Sequence, residues 1–427
     1  MNYSKNSKTQ RTIILVVVSM VAGLMYLTPF LRFSFYDQMK EALRLTDIQI
    51  GNLGSIYGTV YVISFIPSGF LSEKFSTKKL LMVSCLGMAA ATVWYSFYPG
   101  YTALLIIHAL YGFFSVGTFW SPYLIAVRNL GSEEEQSKLY GSSEALRGVA
   151  QTIVSFICIG AMSLIASLTV GFKVLLYINT AALLALTVTL MILMPDDKKT
   201  AVSEQKPEGG SQENAITGAF KMLGDPSVWI CIFVVLCGYT LWSTVNGYIG
   251  TYCTRVLRIP ANISSAISVA RSYIIVFVAG FSGGFIMDKF KSRGQGLMIA
   301  YLLCGVSAIG IVLTDSALFV CLAVTVILSY MVNVVKSTYW SILGDAGIPL
   351  AATGMATAII SLIGLTGDIF VPPVISRFIT YGESVGDLKL GFNLMLAWIV
   401  VWSVLGVIAS FILKKRKEKL TGKVISH

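Results

Sequence analysis

Six charged side chains stand inside long apolar runs of this sequence, and their types could bind an anion and move a proton. They are Arg32, Glu144, Arg147, Arg271, Lys336 and Asp368. A charge at the centre of a membrane helix costs about 2.5–3.5 kcal/mol on insertion scales, so each must face a partner, water or a ligand. Four cations against two carboxylates leave an excess of positive charge, which an anionic ligand would neutralise. The planar guanidinium of arginine suits carboxylate, phosphate or sulfonate groups.

The two carboxylates among these charges could carry ion coupling. Glu144 and Arg147 lie three residues apart, so they share one face of a helix and can pair directly. That pair could be structural, or it could contribute to gating and substrate contact. Asp368 could exchange a proton for a cationic partner, and a permanent bridge to Lys336 or Arg271 is the alternative. We predict ion coupling at Asp368 and Glu144, and substrate contact at all four cations.

Aromatic and amide side chains in the same apolar runs could shape a binding pocket. They are Tyr26, Trp120, Tyr123, Trp242, Asn246, Tyr339 and Trp340. Packing and interface placement account for most aromatic residues in membrane helices, which is the competing interpretation. We predict substrate contact for Trp120, Asn246, Tyr339 and Trp340. His108 could relay protons, since histidine titrates near neutral pH.

Helices that cross a bilayer must position these residues, and the composition favours such helices. The chain of 427 residues is 55% hydrophobic and 12% charged, with a mean hydropathy of +0.75. Soluble domains carry about 25% charged residues. Twelve apolar runs are each near or above the roughly 20 residues that a spanning helix needs. They cover residues 12–35, 47–71, 80–98, 103–128, 138–167, 173–194, 226–254, 262–287, 296–314, 317–344, 350–378 and 389–413. We therefore predict an all-α, multi-pass membrane protein.

A polar break and the placement of basic residues predict domains and topology. Residues 195–225 are polar and read as a cytoplasmic linker between domains at 1–194 and 226–427. The side that holds the linker and both termini carries 21 Lys and Arg, and the opposite loops carry seven. The positive-inside rule then places both termini and the basic C-terminal tail in the cytoplasm. Because the net charge of +11 lies mostly between apolar runs, we exclude nucleic-acid binding.

The second half of the chain repeats features of the first. Residues 69–79 return 215 positions later as residues 284–294, with four of eleven positions identical. The sequence Thr-Phe-Trp-Ser at 118–121 reappears as Thr-Tyr-Trp-Ser at 338–341. Related halves of six runs each are typical of transporters that are built from repeats around a midplane site.

The hairpin after the second run resembles the signature loop of the major facilitator superfamily, roughly Gly-x-Leu-x-Asp-Arg-x-Gly-Arg-Lys. It departs from that loop at Glu73, Lys74 and Ser76, which replace Asp, Arg and Gly. The resemblance implies two pseudo-symmetric six-helix bundles around a central cavity. Runs 1, 4, 7 and 10 would line its centre and runs 2, 5, 8 and 11 its flanks, and all six charges fall on these runs.

The resemblance also implies that the two hairpins form a charged latch between the bundles. The alternative is that their lysines serve only as topology anchors. The predicted latch residues are Gly69, Glu73, Lys78, Lys79, Gly284, Asp288 and Arg293.

The residue types exclude several functions. We find no catalytic triad, no phosphate-binding glycine loop and no metal spacing among the cysteines, so we predict neither an enzyme nor a metal or cofactor. The Gly-Pro motif of many drug antiporters is absent from the fifth run. We expect a monomeric secondary transporter of the bacterial inner membrane, which carries a small organic anion with a proton or sodium by alternating access. An organic-anion exchanger is the first alternative, and proton-driven efflux of drug-like compounds is the second.

Overall fold

The protein is all-helical in the part of the chain that the computed structural model describes, namely residues 8–131, 135–194, 222–349 and 353–425. Eleven helices there are long and apolar enough to cross a membrane, and one pair bent by 44° makes a twelfth span. We number them segments 1 to 12: Lys8–Leu27, Asp47–Ile63 with Phe65–Ser72, Thr77–Ser96, Tyr101–Arg128, Lys138–Ser163, Leu168–Leu193, Pro226–Arg255, Ala261–Asp288, Arg293–Thr314, Leu318–Ile342, Ala356–Ser384 and Leu388–Leu420. The predicted all-α membrane fold is confirmed.

Several segments are interrupted rather than continuous. The interrupted helices are Tyr101–Gly112 and Trp120–Arg128 in segment 4, Ala261–Val269 and Ile275–Asp288 in segment 8, and Thr353–Gly364 and Gly367–Ser384 in segment 11. π-Helical turns fill the first two breaks, at Phe113–Gly117 and Ala270–Ile274. In segment 10 the α-helix Leu318–Thr338 passes into a 3₁₀ turn at Tyr339–Ile342. Such irregular turns are frequent at functional sites because they redirect side chains and backbone groups.

Segment 1 ends earlier than the sequence predicted. Its helix stops at Leu27, and Arg32 lies in a 3₁₀ turn, Leu31–Phe33, that precedes a short helix at Tyr36–Leu43. Pro29 explains the difference, because proline has no amide hydrogen and disfavours the helical conformation of the residue before it. The prediction that the first spanning helix covers residues 12–35 and includes Arg32 is therefore wrong at its C-terminal end.

Contacts divide the chain into two compact units. Among the described residues, the first comprises residues 8–194 with Pro260–Tyr273, and the second comprises residues 222–259 with residues 274–425. In the first unit, segment 1 packs on segments 5 and 6, segment 2 on segment 4, and segment 3 on segment 6. In the second unit, segment 9 packs on segments 10 and 12, and segment 7 packs on segments 10, 11 and 12. Residues 195–221 of the predicted linker lie outside the described residues.

Candidate functional site

A cation and three aromatic rings meet in the first unit, in a group that we call the Arg147 cluster (Tyr26, Trp120, Tyr123, Glu144 and Arg147). Arg147 pairs with Glu144 across one helical turn, as their spacing predicted. Its guanidinium carbon lies 5.3 Å from the ring centroid of Tyr26, 5.7 Å from that of Trp120 and 5.9 Å from that of Tyr123. Aromatic faces attract a cation at such distances. The Arg147 side chain is 16% exposed and that of Glu144 is 64% exposed, so the carboxylate partner is the more accessible group.

Hydrogen bonds hold the rings of this cluster in place. The Tyr26 hydroxyl donates to the Ser115 carbonyl oxygen at 3.0 Å, within the π-helical turn of segment 4. The Tyr123 and Ser143 hydroxyl oxygens are 2.6 Å apart, and Ser143 is equally close to Ser19 on segment 1. Segments 1, 4 and 5 therefore all contribute to the position of the rings around Arg147.

Segment 1 can approach segment 5 this closely because a glycine stands at the contact. A Cβ atom on Gly23 would lie 2.7 Å from the Arg147 carbonyl oxygen and 3.2 Å from the Ala150 Cβ. A separation of 2.7 Å is shorter than a carbon and an oxygen can adopt without a shift of the backbone. Gly23 thus fixes the distance between the helix that carries Tyr26 and the helix that carries Arg147.

A second group lies in the second unit, and we call it the Lys336–Asp368 cluster (Tyr239, Trp242, Ser243, Lys336 and Asp368). The Lys336 ammonium lies 3.3 Å from the centroid of the Trp242 ring. The Trp242 and Tyr239 rings have centroids 5.3 Å apart. The Tyr239 hydroxyl donates to Asp368 Oδ2 at 2.6 Å, and the Ser243 hydroxyl donates to Asp368 Oδ1 at 2.7 Å. An aromatic pair thus connects the cation to a hydrogen-bonded carboxylate.

The local structure of segment 11 explains how a carboxylate can be placed there. Asp368 is 1% exposed and stands in the first turn of the helix Gly367–Ser384. The positive end of a helix dipole and charge-assisted hydrogen bonds both stabilise a buried carboxylate. Gly367 permits the close packing, since a Cβ there would lie 3.0 Å from the Tyr239 ring.

The other two predicted cations are buried on irregular turns. The Arg32 guanidinium carbon lies 4.7 Å from the centroid of its neighbour, Phe33. Arg271 belongs to the π-helical turn of segment 8 and donates to the Ser268 hydroxyl at 3.4 Å. Neither of these contacts involves a member of the two clusters. Substrate contact at Arg32 and Arg271 stays a prediction.

Three other predicted pocket residues, Asn246, Tyr339 and Trp340, contact residues of their own segments. The Asn246 amide donates to the Trp242 carbonyl oxygen of its own helix at 3.0 Å. The Tyr339 and Trp340 rings have centroids 5.3 Å apart in the 3₁₀ turn of segment 10. Trp120 begins the second helix of segment 4, so the repeated Thr-aromatic-Trp-Ser sequence marks a helix irregularity in both halves.

The predicted latch residues are described only in part. In the second hairpin, Asp288 Oδ1 lies 2.5 Å from an Arg293 guanidinium nitrogen. The side chain of Glu73 lies outside the described residues. Gly69 is within the helix Phe65–Lys74, Lys79 is exposed, and a Cβ on Gly284 would meet open space. The latch role of these residues, with that of Lys78, stays a prediction.

Sequence reasoning missed Tyr239 and Ser243, the two hydroxyl partners of Asp368. A signal was available, because Tyr239, Trp242, Ser243 and Asn246 follow one another at intervals of three, one and three residues. That spacing places them on one face of segment 7. No pattern in the sequence predicts that Asp368, more than 120 residues later, contacts this face.

Comparisons with known proteins agree with the architecture. The sequence profile described as "Major Facilitator Superfamily" matches residues 13–372. The inner membrane protein YihN of Escherichia coli is 23% identical over 408 residues, which is 95% of this chain and 96% of that protein. A Bacillus subtilis protein named "Probable galactarate/D-glucarate transporter GudP" is 22% identical over 413 residues, which is 90% of this chain and 89% of that protein.

A solved structure shares the fold. The inward-facing, unoccupied crystal structure of a bacterial homologue of the human lysosomal transporter Spinster superposes with a TM-score of 0.76 at 14% identity. The match covers 97% of this chain and 99% of that one. Twelve membrane-type spans, this common fold and a family match over most of the sequence together show that the chain belongs to the major facilitator superfamily of membrane transporters.

Proposed function

We propose that this transporter carries a small organic anion, and that the Arg147 cluster contacts it. The observation that supports the proposal most strongly is the guanidinium held among three aromatic rings in a spanning helix, with a carboxylate partner that is largely exposed. An anionic ligand can displace an exposed carboxylate from a guanidinium more readily than a buried one, because packing does not hold the Glu144 side chain in place. Carboxylate, phosphate and sulfonate groups all match the guanidinium geometry.

A relative favours carboxylates within that class. GudP carries the name of a probable transporter of galactarate and D-glucarate, which are dianionic sugar acids. The aromatic rings of the Arg147 cluster also suit a polyhydroxylated ligand, since ring faces pack against sugar-like carbon skeletons. We therefore propose a hydroxylated carboxylate as the first substrate class to test.

We further propose that uptake is coupled to a proton or sodium ion at Asp368, by alternating access. A carboxylate with hydroxyl donors can gain and lose a cation when those donors move. The Lys336 ammonium lies against the Trp242 ring, which packs on Tyr239, and Tyr239 donates to Asp368. A substrate anion at the ammonium would therefore perturb the hydrogen bond to Asp368. We also propose an inner-membrane location, which the name of the relative YihN supports. The placement of Lys and Arg supports both termini in the cytoplasm.

Uptake by proteoliposomes over a panel of labelled carboxylates, phosphates, sulfonates and lipophilic cations tests the substrate class. We expect saturable anion uptake, and we expect Arg147→Ala to lower its affinity by roughly 10–100-fold, the range for loss of a charged hydrogen bond. Arg128→Ala, which removes an exposed arginine at the end of segment 4, is the matched control and should leave uptake unchanged.

Three outcomes decide among the alternatives. Anion uptake at the wild-type rate by Arg147→Ala would overturn the proposed contact. Uptake that requires an anion inside the proteoliposomes and whose rate does not depend on an ion gradient would assign the protein to the exchangers. Transport of lipophilic cations in place of anions would assign it to drug efflux.

A further inference from the structure

Segment 12 continues far beyond the length that a bilayer needs. Its helix runs from Leu388 to Ile425, which is 38 residues and therefore about 57 Å at 1.5 Å per residue. The hydrocarbon core of a bilayer is about 30 Å thick. At least the last helical turns therefore stand at or beyond the level of the lipid headgroups.

One face of this helix is exposed and carries apolar side chains as far as Ile412, after which it carries lysines. The apolar members recur at intervals of three and four residues and are Val401, Val404, Leu405, Ile408, Phe411 and Ile412. Lys415 and Lys419 follow on the same face, and both are exposed. The side chain of Lys415 is 63% exposed, and its ammonium lies 5.6 Å from the centroid of the Phe411 ring. The lipid-facing stripe thus ends directly in lysines.

The opposite face of the same helix is fixed to the second unit. Lys417 Nζ lies 2.8 Å from Asp345 Oδ1 and donates to the Lys291 carbonyl oxygen at 2.9 Å. Arg416 donates to the Ser227 hydroxyl at 3.0 Å. These contacts prevent the helix end from turning freely about its axis, so Lys415 and Lys419 are held outward.

We propose that Lys415 and Lys419, with Lys414 beside them, form a binding surface for anionic phospholipid headgroups. Headgroup phosphates lie just beyond the hydrocarbon, where a lysine can keep its stem on the apolar stripe and extend its ammonium to the phosphate. Glu418 lies 3.8 Å from the ammonium groups of both Lys414 and Lys415. The surface holds three lysines and this one carboxylate, so it stays cationic. Continuity with the lipid-facing stripe favours a lipid over an acidic soluble protein.

Lipid retention by the purified full-length protein tests this surface. Wild-type protein is equilibrated with phosphatidylglycerol and phosphatidylcholine in detergent, and retained lipids are counted by native mass spectrometry. We expect a preference for phosphatidylglycerol that falls about fivefold for each lysine removed, hence roughly 25-fold in Lys415→Gln/Lys419→Gln. Lys415→Arg/Lys419→Arg keeps the charge and should keep the preference.

A matched double variant separates this surface from the net charge of the protein. Lys8→Gln/Lys138→Gln removes two exposed lysines of the first unit and should retain the preference. An equal loss in that variant would overturn the proposal, as would a wild-type protein that retains both lipids alike. Tighter binding of a polyglutamate peptide than of phosphatidylglycerol would assign the surface to an acidic protein and would also overturn it. Monodisperse elution of each variant on size exclusion confirms that a loss does not come from misfolding.

Discussion

At the scale of single residues, the carboxylates of the two clusters differ in their exposure and in their hydrogen bonds. Glu144 is mostly exposed beside Arg147, whereas Asp368 is buried and accepts hydrogen bonds from two hydroxyl groups. A buried carboxylate depends on such donors, because burial without them costs far more than exposure does. This difference is why we assign substrate contact to the first cluster and ion coupling to the second.

Replacement of Asp368 by Asn should separate coupling from transport. An amide cannot take up a proton or neutralise a sodium ion, so we expect accumulation driven by an ion gradient to fall to simple equilibration. Exchange of labelled for unlabelled substrate needs no net ion movement and should persist. Proteoliposomes assayed in parallel for gradient-driven uptake and counterflow measure both. Retention of gradient-driven accumulation by Asp368→Asn would remove the residue from the coupling mechanism.

Tyr239 offers a finer test of the same site. Tyr239→Phe removes one hydrogen bond to the carboxylate, worth about 1.5–3 kcal/mol for a charged acceptor, so we expect gradient-driven accumulation to fall. Tyr248→Phe is the matched control, since that hydroxyl also reaches from segment 7 to segment 11 but donates to the Pro372 carbonyl oxygen at 2.9 Å. Equal effects of the two variants would mean that the hydroxyl of Tyr239 serves only helix packing.

At the scale of elements, the spacing of segments 1 and 5 determines the geometry of the Arg147 cluster. Gly23→Ala would place a methyl group 2.7 Å from the Arg147 carbonyl oxygen, so one of the two helices must move. We expect a loss of about 1–3 kcal/mol in stability, the usual range for overpacking, together with weaker substrate binding. Thermal unfolding and substrate affinity check the two effects. Gly141→Ala, on segment 5 with open space around its Cβ position, should change neither, and an equal effect there would refute the argument.

The sequence predicts these elements well where a single helix determines the outcome. Twelve apolar runs give the spans, and the interval of three residues predicts the Glu144–Arg147 pair. The end of segment 1 at Leu27 was missed, although Pro29 could have predicted it, because the effect of a proline on the preceding residue outweighs the apolar composition. The contact of Asp368 with Tyr239 could not be predicted from the sequence, because it joins helices from distant parts of the chain and depends on tertiary packing.

At the scale of the whole molecule, the two halves of the sequence share a repeated sequence at corresponding helix irregularities and differ in their charged clusters. The Thr-aromatic-Trp-Ser repeat marks an irregular turn in segment 4 and again in segment 10. In the first unit Arg147 pairs with Glu144, and in the second unit Lys336 lies against the Trp242 ring, whose neighbour Tyr239 donates to Asp368. The difference between an exposed Glu144 and a buried Asp368 fits the proposed division between substrate contact and ion coupling.

The 21 Lys and Arg predicted on one side of the membrane and the seven on the other predict the orientation of the whole molecule, and this prediction can be measured directly. The seven native cysteines are all buried and none is disulfide-bonded, so added cysteines should dominate labelling. Lys138→Cys and Ala166→Cys lie at exposed positions at opposite ends of the segment 5 helix, Gln136–Ser163. In intact cells we expect a membrane-impermeant maleimide to label Ala166→Cys and to reach Lys138→Cys only after the cells are broken. The reverse pattern would invert the topology, and the basic end of segment 12 would then face the outer leaflet.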